Sequence, residues 1–184
     1  FCGMVFCRWV SVSFFGVTMN INCVNIELGH RCTLACAHCA NMSSPRYHGS
    51  LDAQDIKQII ETLNKLKPKE LVFTGGEPTL YLNELNSILK NLKFDFLSIL
   101  TTNGHFALND SLVEKTLGKI LKLNSVQLSF DRFHGATLNS RKPFLLKKYC
   151  QTRGLDFVVI VALNDPKDLI FVSHVQAQYG CKVI

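Results

Sequence analysis

The sequence predicts an α/β protein, a partial (β/α) barrel of about six parallel strands, and three observations carry that prediction. Short runs rich in β-branched and aromatic residues alternate at least five times with stretches of helical periodicity, a pattern met by right-handed crossovers in a parallel sheet. Residues suited to chemistry collect just after the first four strands, and the mouth of a (β/α) barrel is where such residues form a site. No G-x-G-x-x-G follows the first strand, which counts against a dinucleotide-binding open sheet. Periodicity alone does not separate the barrel from a doubly wound sheet; the placement of the chemistry favours the barrel.

The first strand is read at 23–28, "CVNIEL", and a cysteine-bearing loop follows it directly. From Asp52 onward, Ile56, Ile59, Ile60 and Leu63 recur at helical spacing, with Asp52 placed to cap this helix and Pro68 to stop it. "ELVFT", 70–74, is a nearly continuous apolar run, as expected of a strand buried on both faces, and it leads into "GGEP". Leu85, Ile88, Leu89 and Leu92 mark a second helix, and "FLSILTT", 96–102, a third strand ending in "NG". Val113, Leu117, Ile120 and Leu121 mark a third helix, and "SVQLSF", 125–130, a fourth strand followed by a basic helix at 142–152. "LDFVVIVAL", 155–163, is the fifth strand, and the fifth helix, 165–178, starts at Asp165 and Pro166. "CKVI" opens a sixth strand.

At 184 residues, with 47% apolar and 18% charged residues, the chain suits one domain with a real core, which excludes disorder. Twenty basic against fourteen acidic residues leave a net charge of +6 without any run of like charge, a mildly basic solvated surface on which nucleic acid is not the favoured partner. Residues 1–18 are rich in Phe, Val and Cys and do not open on Met. They are read as an extension outside the core, which spans 19–184 and is expected to be truncated at its C-terminal end. A membrane or signal segment is the lesser reading of 1–18, since the apolar run is short, Arg8 interrupts it and no small-residue cleavage site follows.

Eight cysteines with this much core argue for reduced thiols in the cytoplasm, not a disulfide scaffold. Cys2, Cys7, Cys23, Cys150 and Cys181 are scattered and read as small core residues, but Cys32, Cys36 and Cys39 fall within "GHRCTLACAHCANM" at C-x3-C-x2-C spacing. A disulfide uses two thiols and a structural zinc site four ligands. Three thiolates can hold three irons of a [4Fe-4S] cluster and leave the fourth open, whereas zinc would need His30, His38, His105 or His134 as well. Three packed core cysteines are a third reading, opposed by the polar character of the loop.

Other motifs follow the next strands. In "TGGEP", Gly75 and Gly76 let backbone approach a ligand and Glu77 can accept from an ammonium group, though Gly, Gly and Pro78 also suit a plain strand-to-helix turn. In "TTNG", Asn103 and Gly104 suit a left-handed turn, or, with Thr102, the wall of a site. In "QLSFDRFHG", Val126, Leu128 and Phe130 alternate with Gln127, Ser129 and Asp131, so the polar side of the strand points into a barrel mouth. Asp131, Arg132 and His134 are candidates for substrate contact or proton handling, with a salt-bridged loop as the plain alternative.

The cysteine loop, the "GGE" and "TNG" segments and their order resemble the radical S-adenosylmethionine (radical SAM) superfamily over residues 22–164. The resemblance implies a TIM-type core, full or partial, in which Cys32, Cys36 and Cys39 ligate a [4Fe-4S] cluster whose fourth iron chelates S-adenosylmethionine. It places Gly75, Gly76, Glu77 and Pro78 at the methionine amino group, Thr102 and Asn103 near cofactor or substrate, and Ser129 at the ribose or carboxylate. His38 replaces the aromatic residue often found there and meets adenine through its backbone; on the fifth strand, Asn164 is the one candidate. The implied activity is that of an oxidoreductase: reductive cleavage to methionine and a 5'-deoxyadenosyl radical, which abstracts hydrogen from a substrate. The S-x-D-x-x-H segment is similar to those of peptide-modifying and activase members, so peptide or protein modification or glycyl-radical activation is favoured. With only Cys150 and Cys181 left toward the C-terminal end, too few cysteines lie beyond the core for a twisted-ribbon auxiliary-cluster domain, which is not expected in the chain as given. The implied partners are a flavodoxin- or ferredoxin-like electron donor and no membrane. The alternative is an iron-sulfur or zinc binding module without radical catalysis.

Overall fold

The computed structural model describes residues 21–137 and 140–184. The proposed extension at 1–18, with Cys2 and Cys7, lies outside the described residues. Six strands, β1 (Cys23–Glu27), β2 (Glu70–Thr74), β3 (Leu97–Thr102), β4 (Ser125–Ser129), β5 (Asp156–Ile160) and β6 (Lys182–Val183), pair in parallel in the order β1-β2-β3-β4-β5-β6. A doubly wound sheet reverses its strand order at a switch point. Sequential order without reversal is the winding of a (β/α) barrel, and it decides the choice that periodicity left open.

Five helices connect the strands: α1 (Ala53–Leu66), α2 (Leu82–Asn91), α3 (Asp110–Leu117), α4 (Lys142–Arg153) and α5 (Pro166–Tyr179). Asp52 caps α1 through a reciprocal box with Asp55, and Asp165 caps α5 through one with Asp168, as the sequence leads one to expect of Asp at both starts. Ile26, Phe73, Leu100 and Val126 lie side by side in register and form a buried row against helix residues such as Leu63, Leu85, Ile88, Leu117 and Leu146. Burying such side chains is worth about 1.5–3 kcal/mol each.

The sheet's other face differs from expectation. β2 is not buried on both faces: Leu71 and Phe73 are enclosed, but Val72 is half-buried, as are its register neighbours Asn25 and Ile99. These residues face the hollow of the curved sheet. Two further boundaries move. α3 stops at Leu117, where the Gly118 N–H closes the last turn onto Glu114 and Thr116; Ile120 is still buried, but Leu121 is exposed. β5 stops at Ile160 because the Ala162 N–H leaves the ladder and donates to the Asp131 carboxylate at 3.2 Å. Of the scattered cysteines, Cys150 is fully enclosed, and burial pushes its thiol pKa up to about 12; Cys23 and Cys181 are half-buried. No helix among the described residues is long and apolar enough to cross a membrane.

Candidate active site

Beyond the ends of β1 and β2 the two chains continue side by side. Leu28 N–H donates to Thr74 O at 3.1 Å, Gly76 N–H to Gly29 O at 2.7 Å and Glu77 N–H to Arg31 O at 2.9 Å. This closeness is why glycine stands at 75 and 76. Gly75 has a φ of 124°, and a Cβ there would lie 2.6 Å from Gly29 O; a Cβ on Gly76 would overlap the Arg31 carbonyl. The first thing these glycines admit is therefore the backbone of the cysteine loop.

That loop is anchored on both sides. Tyr81, buried, accepts the Arg31 N–H on its hydroxyl at 2.8 Å, and Asn41 Nδ2 donates to Gly75 O at 3.3 Å. The loop also closes on itself, with Cys32 N–H bonded to Ser44 O and Ser44 N–H to His30 O, both at 3.2 Å. Cys32 is buried and Cys36 and Cys39 half-buried, all three free thiols, and all three line one cavity of about 300 Å³. Gly75, Gly76, Thr102, Asn103, Ser129 and His38 line the same cavity.

Burial pushes the Cys32 thiol up, against the opposing Leu34 N–H; burial and then the neighbouring Cys32 and Cys39 push Cys36 up. Three crowded thiols hold together as thiolates only with cations to compensate them, and soft sulfur donors suit iron-sulfur or zinc chemistry. The surrounding donors favour a cluster. Leu34 N–H and Asn103 Nδ2 each reach Cys32 Sγ at 3.4 Å, and Ser43 N–H reaches Cys39 Sγ at 3.3 Å, the kind of contact that steadies cluster thiolates. Ser43, 4% exposed, is one of the residues that line the cavity, and its buried hydroxyl has no hydrogen-bond partner among the described residues. The residues present thus fit a [4Fe-4S] cluster held by Cys32, Cys36 and Cys39.

Glu77 and Pro78 sit behind this wall. Glu77 is 0% exposed and its carboxylate accepts from Thr79 N at 3.2 Å, Thr79 Oγ1 and Thr102 Oγ1 at 2.7 Å, and Asn103 N at 2.9 Å. The donors that occupy it are the protein's own, and they tie the turn after β2 to the end of β3. Pro78 opens the buried 3-10 turn Pro78–Leu80 that carries Thr79. Lys142, half-buried, brings its Nζ to 3.4 Å from Asn103 O; burial lowers its pKa and the Glu77 charge acts in the other direction.

Asp131 is likewise 2% exposed. Its Oδ1 accepts from His134 Nδ1 at 2.8 Å, Phe133 N–H at 2.9 Å and His134 N–H at 3.1 Å, and its Oδ2 accepts from Ala162 N–H. Burial alone would raise this carboxyl; the hydrogen bond and charge of His134, joined by Ala162, outweigh it and hold Asp131 below the ordinary carboxylate range. His134 lines the cavity, Asp131 backs it, and His38 packs on Phe133 at 4.5 Å between ring centroids. His38, Asp131 and His134 also bring ligand atoms within 4.8 Å of one another, with the Asp131–His134 hydrogen bond running through His134 Nδ1 and Asp131 Oδ1. Arg132 turns away, its Nε 3.3 Å from Asp168 Oδ1. Asn164 is exposed and is not among the residues that line the cavity; its backbone N–H donates to Asp168 in the cap of α5.

Tyr81, Asn41, Ser43, Thr79 and Lys142 were not legible as site residues. Tyr81, Asn41 and Lys142 act on groups 50, 34 and 39 positions away, where no local pattern marks them, and Thr79 and Ser43 act on near neighbours, Glu77 and Cys39, through contacts that no residue spacing announces.

Comparison with known proteins bears on the family. A putative peptide biosynthesis protein, YydG of Bacillus subtilis, is 30% identical over 123 residues, 64% of this chain and 38% of that protein. The mycofactocin maturase MftC of Mycobacterium tuberculosis is 39% identical over 57 residues, 31% of this chain and 15% of its own length. Streptococcus suis SuiB bound to its precursor peptide SuiA shares the fold, with a TM-score of 0.54 at 20% identity over 84% of this chain and 36% of SuiB. The chain thus spans well under half the length of these relatives. The sequence model of the Radical SAM superfamily matches residues 26–159, from within β1 to within β5. That span takes in every strand end from which a site residue projects, and the chain belongs to the radical SAM superfamily.

Proposed function

We propose that this chain is the catalytic core of a radical SAM enzyme that modifies a peptide or protein. The observation that carries the reading is the convergence of three free thiols with Gly75, Gly76, Asn103 and Ser129 on one cavity. When bound, the cluster and S-adenosylmethionine supply one-electron cleavage to a 5'-deoxyadenosyl radical that abstracts hydrogen from substrate. Cys32, Cys36 and Cys39 hold the cluster; Asn103 orients Cys32; the backbone at Gly75 and Gly76 and the Ser129 hydroxyl are placed to orient the methionine and ribose ends. Asp131 fixes the His134 ring through Nδ1, which leaves Nε2 as the atom that can take up or return a proton at the cavity. The peptide class rests on YydG and SuiB, whose names and contents concern peptides.

The cluster needs an electron. Segment 29–50 carries Arg31, Arg46 and three histidines without one carboxylate, and Arg31, Arg46 and His48 are exposed, a surface suited to an acidic donor of the flavodoxin or ferredoxin kind. Such thiols and donors belong in a reducing, cytoplasmic setting. The test is anaerobic reconstitution of the 184-residue chain, quantification of iron and sulfide, and assay for 5'-deoxyadenosine with S-adenosylmethionine and dithionite. Product that depends on all three cysteines is expected. A fully loaded cluster that yields none overturns the proposal.

A further inference from the structure

Ser43 follows the third cysteine by four positions and is neither a ligand nor part of any motif read above. Its backbone is set by Met42, whose φ of 48° is left-handed for a residue with a side chain. This turn aims two successive N–H groups at Cys39: Met42 at its carbonyl oxygen, 3.1 Å, and Ser43 at its sulfur, 3.3 Å. Ser43 thereby joins Cys39 in the lining of the cavity, and its hydroxyl is buried without a hydrogen-bond partner among the described residues. A buried hydroxyl left unpaired carries its full desolvation penalty, which alanine at the same place would avoid.

We propose that the Ser43 hydroxyl donates a hydrogen bond to sulfur on the Cys39 side of the cluster held by Cys32, Cys36 and Cys39, and so raises the cluster's reduction potential. The inference rests on the cluster reading above and deepens it. Reduction adds negative charge that spreads onto sulfur, so a fixed O–H dipole aimed there stabilises the reduced form more than the oxidised one. Cys32 already receives a side-chain donor from Asn103; Cys39 receives the Ser43 backbone N–H, and the Ser43 hydroxyl would add the side-chain counterpart. Ser43 is thus a positioning and tuning residue.

The experiment is a redox titration of the reconstituted chain, without S-adenosylmethionine or substrate, followed by electron paramagnetic resonance on wild type, Ser43→Ala and Ser43→Thr at matched iron and sulfide content. Ser43→Ala is expected to shift the reduced-to-oxidised ratio at fixed potential toward oxidised by about tenfold, about 59 mV for one electron. Ser43→Thr, which keeps the hydroxyl, is expected to restore most of it. Without metal, Ser43→Ala is expected to unfold at the same urea concentration as wild type or higher, because it removes an unpaired group. A loaded Ser43→Ala cluster with an unchanged ratio overturns this inference alone, as does a marked loss of stability in the metal-free variant. A wild-type chain that takes up no iron and sulfide overturns the cluster reading itself.

Discussion

Glu77 offers a direct contrast between a ligand contact and a structural tie. In Glu77→Gln the amide oxygen can keep the place of Oε1, which accepts from Thr79 N, Thr79 Oγ1 and Thr102 Oγ1. The NH2 then stands where Oε2 was, 2.9 Å from the Asn103 N–H, donor against donor. The reverse placement is worse, since three donors would meet the NH2. One charge-assisted hydrogen bond is lost and one buried N–H is left unpaired, together about 2–3 kcal/mol. Glu77→Ala leaves all four donors unpaired and removes the charge that half-buried Lys142 faces, on the order of 3–5 kcal/mol. Against a total stability of about 5–15 kcal/mol these are large losses. The assay is urea unfolding of the metal-free, reduced chain by circular dichroism. With a slope of about 2 kcal/mol/M, Glu77→Gln should lower the midpoint by about 1–1.5 M. Metal-free Glu77→Gln within about 0.5 kcal/mol of wild type, combined with loss of S-adenosylmethionine binding, would refute the reasoning and return the carboxylate to the cofactor.

Tyr81→Phe removes the acceptor of the Arg31 N–H and should cost about 1–2 kcal/mol and weaken retention of iron, measured by urea unfolding and by chelator challenge of the reconstituted chain. Gly76→Ala drives a methyl into the Arg31 carbonyl and should separate the two turns, lowering stability by about 1–3 kcal/mol and reducing cluster loading; normal loading would show that the contact yields easily. Lys67 ends α1 with a φ of 48°, so Lys67→Gly should stabilise by about 0.5–1 kcal/mol in the same assay. Asp168 is held below the ordinary carboxylate range chiefly by the Asn164 and Asp165 N–H groups; burial opposes them and Arg132 adds to them. Its contribution is therefore present above the unfolded value of about 3.9 and lost as pH falls through the lower folded value, so Asp168→Asn should flatten the decline in urea midpoint below about pH 4.

What could be read from the sequence and what could not divide along one physical line. Helical period, the Asp52 and Asp165 caps and the cysteine spacing are local: their partners lie within a few positions, so the pattern and the contact are nearly the same thing. α3 shows the limit of that reasoning, since Ile120 continues the apolar rhythm through a turn that Gly118 has already begun. β2 shows another, because an apolar run cannot say whether its second face meets a helix or the hollow of a curved sheet. The site residues depend on long-range geometry in a stronger sense. In the sequence Glu77 is read as a ligand carboxylate beside glycines and proline; in the structure Thr79 supplies two donors to it locally, and the other two, on Thr102 and Asn103, arrive from 25 and 26 positions later through the pairing of β2 with β3. With the pairing of β1 and β2 added, Asn103 also comes to Cys32, so two successive parallel pairings both fill Glu77 and build the donor that steadies the cysteine. Glu77 then reaches the chemistry through Asn103: a substitution that loosens the carboxylate also misaims the Nδ2 donor. For that reason Glu77→Gln should disturb the environment of Cys32 before it disturbs any bound cofactor.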